Sequence, residues 1–287
     1  MPSLQGLRRK IGSIKNTQKI TKAMKMVSAA KLKRAQERIL AARPYAKKMA
    51  VVLGSLSSRV NRQQHPLLRR SAGKRLELLV ITSDRGLCGA FNANILRRAV
   101  EFLREKQETG YTVTVSLVGR KARDFFRRRA WSRRQEWVGV FDRLSYEHAL
   151  DIGSDIVENF TNGTFDELYI VYNEFKSVIQ QRVVIEKLLP LESLEPDEGA
   201  LGGGYLFEPD EEELLKVLLP KHLEVQAFHA LMESAAAELG ARMAAMDGAT
   251  RNAGELIKKL TLYYNKTRQA AITKELMDIV GGAEVLR

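Results

Sequence analysis

LGARMAAMDGATRNAGELIKKLTLYYNKTRQAA, residues 239–271, decides the fold. It contains no proline, and apolar or small side chains recur at alternating spacings of three and four. They are Leu239, Met243, Met246, Thr250, Ala253, Ile257, Leu260, Tyr264, Thr267 and Ala271. Such a stripe is the seam of a long helix that lies against a partner helix. The proline-free run extends from Leu223 to Val280. At about 1.5 Å per residue it makes a helix on the order of 85 Å long. Helices of that length are rare in ordinary domains, so something must lie along it.

The partner is at the other end of the chain. From Leu4 the same spacing runs through Leu7, Ile11 and Ile14, then Gln18, Thr21, Lys25 and Ser28. It continues through Leu32, Ala35, Ile39, Ala42, Ala46, Met49, Leu53 and Leu56. Four polar residues interrupt this seam, with Ile20, Met24 and Val27 just beside it, so the apolar stripe is expected to drift onto those three. Two long seams at opposite termini, with a different kind of sequence between them, predict an antiparallel pair of terminal helices carrying an inserted domain. The alternative is two amphipathic helices packed on that domain. The expected division is an N-terminal helix over 1–57, a linker over 58–75, an α/β domain over 76–207 and a C-terminal helix over 208–287.

The chain has 287 residues and a net charge of +13. Residues 1–75 carry twenty Lys and Arg against one acid, Glu37. The basic character therefore belongs to the N-terminal helix and linker, which should seek an acidic surface. The single cysteine, Cys88, excludes an intramolecular disulfide and a cysteine metal cluster. No apolar run approaches the length of a membrane span, and Arg8, Arg9 and Lys10 are not followed by the apolar block of a secretory signal. Membrane association is expected only through a partner.

Ser3 is a plausible N-cap for the first helix, and Pro44 is expected to kink or interrupt it near Arg43. From Arg75 the pattern changes. Strands are predicted at Leu76–Thr82, Thr112–Val118, Glu167–Tyr172 and Val178–Leu188, with a weaker one at Val138–Phe141. Helices are predicted at Ala90–Lys106, Arg120–Arg129 and Tyr146–Phe160. Strands alternating with helices indicate a mostly parallel, Rossmann-like sheet. Asp210 followed by Glu211, Glu212 and Glu213 suits the positive end of the last helix. Pro220 is expected to kink that helix, and Gly281–Gly282 to loosen its end.

Catalytic chemistry is not legible. The loop Ser83–Gly89 sits where nucleotide phosphates often bind, but it lacks the third glycine of G-x-G-x-x-G and the Lys-Ser/Thr pair of a Walker A loop. It reads as a tight turn, with Cys88 as a packing residue. His65, His148, His222 and His229 show no metal spacing. No paired-carboxylate or Ser-His-Asp signature can be placed, and no cofactor is expected. Arg127–Arg129 and Arg133–Arg134, around Trp131, read as a solvated surface before they read as a nucleic-acid or lipid contact.

Three segments carry a resemblance. They are Ile14–Val27 (IKNTQKITKAMKMV), Thr82–Gly89 (TSDRGLCG) and Leu262–Leu276 (LYYNKTRQAAITKEL), the last followed by Ile279-Val280-Gly281-Gly282-Ala283. Together they closely resemble the gamma-subunit family of the bacterial rotary F-type ATP synthases, essentially from end to end. The resemblance implies a central shaft standing inside a hexamer of catalytic and non-catalytic subunits. Its α/β domain would sit on the membrane c-ring, beside the epsilon subunit, at the cytoplasmic face of the bacterial inner membrane. Proton-driven rotation of the ring and shaft would take the catalytic sites through their states, so the active sites would belong to the hexamer. By the resemblance, Lys19, Lys22, Met24 and Lys25 lie where shaft and hexamer meet. Arg268, Gln269 and Thr273 match positions that contact a catalytic subunit. The tip from Ile272 to Leu286, Ile279 included, would sit in an apolar collar, and Tyr205, Phe207 and Glu208 would form the foot near the ring. Lys25 departs from the family, many members of which carry an acid there. The alternatives are a basic coiled-coil protein that binds nucleic acid, against which stands the single aromatic residue of 1–60, Tyr45, and a nucleotide-dependent enzyme using the α/β domain.

Overall fold

A computed structural model of the chain describes residues 3–57, 65–69, 71, 73–178, 180–191 and 210–285. It falls into two compact units, residues 1–28 with 243–287 and residues 29–242. Two helices serve both units: α1, Leu4–Ser57, and α5, Glu211–Val285.

In the first unit the two helices run antiparallel, because Gln18 and Thr21 meet Thr250 while Lys25 meets Asp247. Ser3 caps α1, its Oγ accepting from the Gly6 N–H at 3.1 Å. Every position of the two predicted seams, in both units, is buried or half-buried. In α5 the alternation is sharp: Ile257, Leu260, Tyr264 and Thr267 are half-buried, while 258–259, 261–263 and 265–266 are exposed. The expected drift of the stripe does not occur at Ile20 and Val27, and Met24 is half-buried beside Lys25. Thr21 and Ser28 are buried in the seam, and Ile20 and Val27 point outward at 60% and 55% exposure. The hydroxyl contact of Thr21 with Thr250 holds the seam at that level, and Ile20 beside it faces out.

The second unit is built on a five-stranded sheet in the order β3-β2-β1-β4-β5. The strands are β1 (Arg75–Ile81), β2 (Thr112–Val118), β3 (Ser132–Trp137), β4 (Glu167–Phe175) and β5 (Gln181–Leu189). All pairings are parallel except β4 with β5. The helices between them are α2 (Phe91–Glu108), α3 (Arg120–Phe126) and α4 (Tyr146–Thr161). Alternate residues of β1 divide two cores. Leu76, Leu78 and Val80 pack with Phe91, Ile95, Ala99 and Leu103 of α2. Leu79 and Ile81 belong to the other core, with Ile152 and Ile156 of α4, Leu53 and Leu56 of α1, and Leu215, Leu219 and Leu223 of α5. Gly119 turns β2 into α3 at φ +91, where an added Cβ would lie 2.2 Å from the Thr82 carbonyl oxygen.

One local expectation is corrected. The third strand is Ser132–Trp137, and Val140–Asp142, which overlaps the expected strand Val138–Phe141, is a 3-10 turn. Edge position explains the miss: β3 is polar and, apart from Arg134 and Trp137, exposed, so no apolar run marks it. Pro44 and Pro220 both lie inside continuous helices. At Pro44 the ring is exposed, and Ile39, Met49 and Leu53 anchor the flanking turns in buried contacts. Gly281 and Gly282 lie in the last turns of α5, which runs to Val285.

Candidate functional site

The surface where the sequence placed its contact residues is the paired-helix unit. Gln18, Thr21, Lys25 and Ser28 follow heptad spacing along α1, where apolar residues would normally stand. Thr21 Oγ1 lies 2.8 Å from Thr250 Oγ1 and 3.1 Å from the Gln18 carbonyl. Thr250 Oγ1 also lies 2.7 Å from the Met246 carbonyl of its own helix. Gln18 Nε2 donates across the seam to the Thr250 carbonyl at 3.4 Å. Lys25 Nζ donates to Asp247 Oδ1 at 2.6 Å, and Arg251 approaches the other carboxylate oxygen at 3.4 Å. The Lys25 hydrogen bond holds the Asp247 carboxyl below its ordinary pKa.

The outer faces of the two helices carry several large apolar side chains among their charges. Ile20, Met26 and Val27 are exposed on α1, and Leu262, Met277 and Ile279 on α5, the last at 68%. Lys19 and Lys22 are exposed and Met24 is half-buried. Arg268, Gln269 and Thr273 are exposed along α5, with Thr273 Oγ1 bonded to the Gln269 carbonyl at 3.0 Å. The structure thus brings Lys25 to Asp247, which sequence reasoning did not single out. Its only signal was an acid one position beyond an apolar seam residue. Tyr205, Phe207 and Glu208 lie outside the described residues.

In the second unit the loop after β1 is filled from within. The Asp84 carboxylate, 5% exposed, accepts from the backbone N–H of Arg120 at 3.0 Å, Gly139 at 2.8 Å and Phe141 at 3.1 Å. Backbone N–H groups at the strand ends of such a sheet are the donors that cradle phosphate in nucleotide-binding folds. Here a side-chain carboxylate takes them. Asn92 ties the loop further, bonding Ser83 and approaching Cys88 Sγ at 3.2 Å. Arg242 of α5 donates to the Gly86 carbonyl at 3.1 Å and pairs with Glu238. Burial pushes the Cys88 thiol and the Glu238 carboxyl up in pKa.

The four histidines have local roles. His65 Nδ1 accepts from the Leu67 N–H, His148 joins the Ser145 capping box, His222 is buried beside Gln226, and His229 approaches Glu233. Among the described residues no group of three His, Cys, Asp or Glu side chains is placed to hold a metal, and no helix is long and apolar enough to cross a membrane. A groove of about 660 Å³ opens between α1, α4 and α5, with Ala42 and Ala46 facing Tyr146 and Phe228.

A family model described as ATP synthase matches residues 3–286. The chain is 50% identical, over 100% of both chains, to the ATP synthase gamma chain of Anaeromyxobacter sp. (strain Fw109-5). The chain belongs to the ATP synthase gamma-chain family. The gamma chain of Geobacter metallireducens is 48% identical, again over the whole of both chains. Among solved structures, the gamma-family fold is similar to a chain in the central stalk/c-ring of the Tetrahymena thermophila mitochondrial ATP synthase. The TM-score is 0.62 at 26% identity, over 80% of this chain and 99% of that one. A chain of the Euglena gracilis mitochondrial ATP synthase shares the fold, with a TM-score of 0.69 at 22% identity, over 99% and 94%.

Proposed function

We propose that this gamma chain is the rotating central shaft of a proton-translocating ATP synthase and has no active site of its own. It couples rotation of the membrane ring to the conformational cycle of the catalytic hexamer. The observation that carries the reading is the inversion in the paired-helix unit. The seam is polar from Gln18 to Ser28, while large apolar side chains face outward on both helices. A pair of helices standing alone in water would bury those groups, so the exposed face belongs to an enclosing partner. A shaft must pass three equivalent partners in turn without locking to any. Scattered apolar contacts with a few cations suit that task better than one deep pocket.

In this reading the partners are the catalytic and non-catalytic subunits, the epsilon subunit and the c-ring. The chain is peripheral, at the cytoplasmic face of the bacterial membrane, and held there by its partners. Lys19, Lys22, Met24, Arg268, Gln269, Thr273 and Ile279 face the hexamer, and Lys25 stands in the same band. Tyr205, Phe207 and Glu208 belong to the foot on the ring. The shaft comprises 1–57 and 208–287, with 58–75 as linker and 76–207 as the α/β domain. The nucleic-acid alternative has no support, because the family match takes in the whole basic arm.

The test is ATP hydrolysis by a hexamer of cognate subunits with and without the chain, beside the chain alone. One chain bound per hexamer, changed sustained turnover, and no activity of the chain alone support the shaft. Hydrolysis by the isolated chain, or failure to join the hexamer, overturns it.

A further inference from the structure

At its polar level the seam of the paired-helix unit mixes large and small groups, with Met24 and Met243 half-buried beside it. Ala253 is buried, Gly254 follows it, and Met246 is the nearest large buried side chain of α5. Apolar seam positions recur at heptad spacing on both helices, so a shift of one heptad again sets apolar groups against apolar groups. The polar contacts are different, because each exists in one alignment only. Thr21 and Thr250 share a hydroxyl contact of 2.8 Å, and Lys25 reaches Asp247 at 2.6 Å. Gln18 reaches the Thr250 carbonyl beside Gly254, where an added Cβ would sit 3.0 Å from its Nε2. A one-heptad shift breaks all three together and leaves buried Thr21 without its partner across the seam.

We infer that Gln18, Thr21 and Lys25 of α1, with Asp247 and Thr250 of α5, form a register key that fixes one axial alignment of the two helices. Lys25 is then a positioning residue of the rotor, acting through Asp247. The inference rests on the shaft reading and adds where torque is kept from being lost as slip. Lys25 and Asp247 are both about one-third exposed, at 38% and 35%. Exposed pairs add little to stability, so the pair's contribution lies in selecting one alignment over others, as single polar residues do in coiled-coil seams.

The test uses the full ATP synthase reconstituted in vesicles, reading protons pumped per ATP hydrolysed. Lys25→Asp and Asp247→Lys should each lower that ratio by at least about twofold, the lower range of coupling between contacting residues. The combined variant should restore most of it. Arg251, 75% exposed, can turn from the new lysine into solvent. Thr21→Cys with Thr250→Cys, oxidised to a disulfide in a Cys88→Ala background, provides a second arm that does not depend on the charge variants assembling. The cross-link should leave coupling intact and rescue Lys25→Asp. Singles that couple like the unmodified complex, a charge swap that restores nothing, or a cross-link that abolishes coupling each overturn the key. An unmodified complex that hydrolyses ATP without pumping overturns the shaft reading itself.

Discussion

Asp166 shows how one side chain closes the entrance to the sheet. Its carboxylate accepts from Ser71 Oγ at 2.6 Å, from the Arg75 backbone N–H at 3.0 Å, and from Arg75 Nε and Nη2 at 2.9 and 3.0 Å. The loop passes so close that a Cβ on Gly73 would lie 2.1 Å from Asp166 Oδ2. The Arg75 hydrogen bonds hold the carboxyl at about 2, against an ordinary 3.8. Because the folded value is the lower one, the stabilisation is fully present above pH 3.8 and is lost as pH falls towards 2. Asp166→Asn should therefore cost about 1–2 kcal/mol at pH 7, as expected for charge-assisted hydrogen bonds. The gap from the parent should narrow below pH 3.8, a trend that urea melts across the range will check. Cys88 gives a second expectation at this scale. It is 2% exposed and burial raises its pKa, so maleimide at neutral pH should label the native chain far more slowly than the denatured chain. Equal labelling rates would contradict the packing described for the loop.

At the scale of the element, β1 carries a carboxylate where a buried parallel strand should be apolar. Glu77 is 1% exposed and faces the same core as Leu79 and Ile81. Arg134 from edge strand β3 reaches over with two bonds to it, at 2.7 and 2.8 Å, and two more to Asp155 of α4, at 3.0 and 2.6 Å. The network ties the polar edge strand to the centre of the sheet and to the helix above it. Arg134→Met leaves Glu77 buried and unpaired, which should cost about 3–5 kcal/mol. Calorimetry should then show a Tm lower by roughly 10 °C. Replacing Glu77 with Leu in the same chain should recover most of that loss, since the unpaired charge goes with it. No such network was readable beforehand: β3 has no apolar pattern, and the contacts span 57 and 21 positions of sequence.

At the scale of the whole molecule, the property to measure is coupling. Met24 is half-buried beside Lys25, at the level where polar residues occupy the seam. Met24→Lys should lower protons pumped per ATP hydrolysed more than it lowers assembly, because an unbalanced charge there meets every partner in turn. A ratio unchanged from the parent complex would sink that expectation. The two terminal helices and their seam positions were legible in the sequence, because helix periodicity is local and repeats over many turns. The central strands and the helices that cover them were legible for the same reason, and the family segments named the shaft. Tertiary structure alone decided what the seam does at its polar level. The sequence shows threonine, lysine and serine with apolar neighbours one position away, and either set could have faced inward. Thr250 and Asp247, over two hundred positions distant, satisfy Thr21 and Lys25, and Ile20 and Val27 stay outside while Met24 is half-buried. The loop after β1 was decided in the same way. Its glycines read as a degraded phosphate loop, and only the fold brings Arg120, Gly139 and Phe141 around Asp84. A hydrogen bond is settled by which groups the chain brings within 3 Å or so of each other, and a local pattern of residue types carries no such distance.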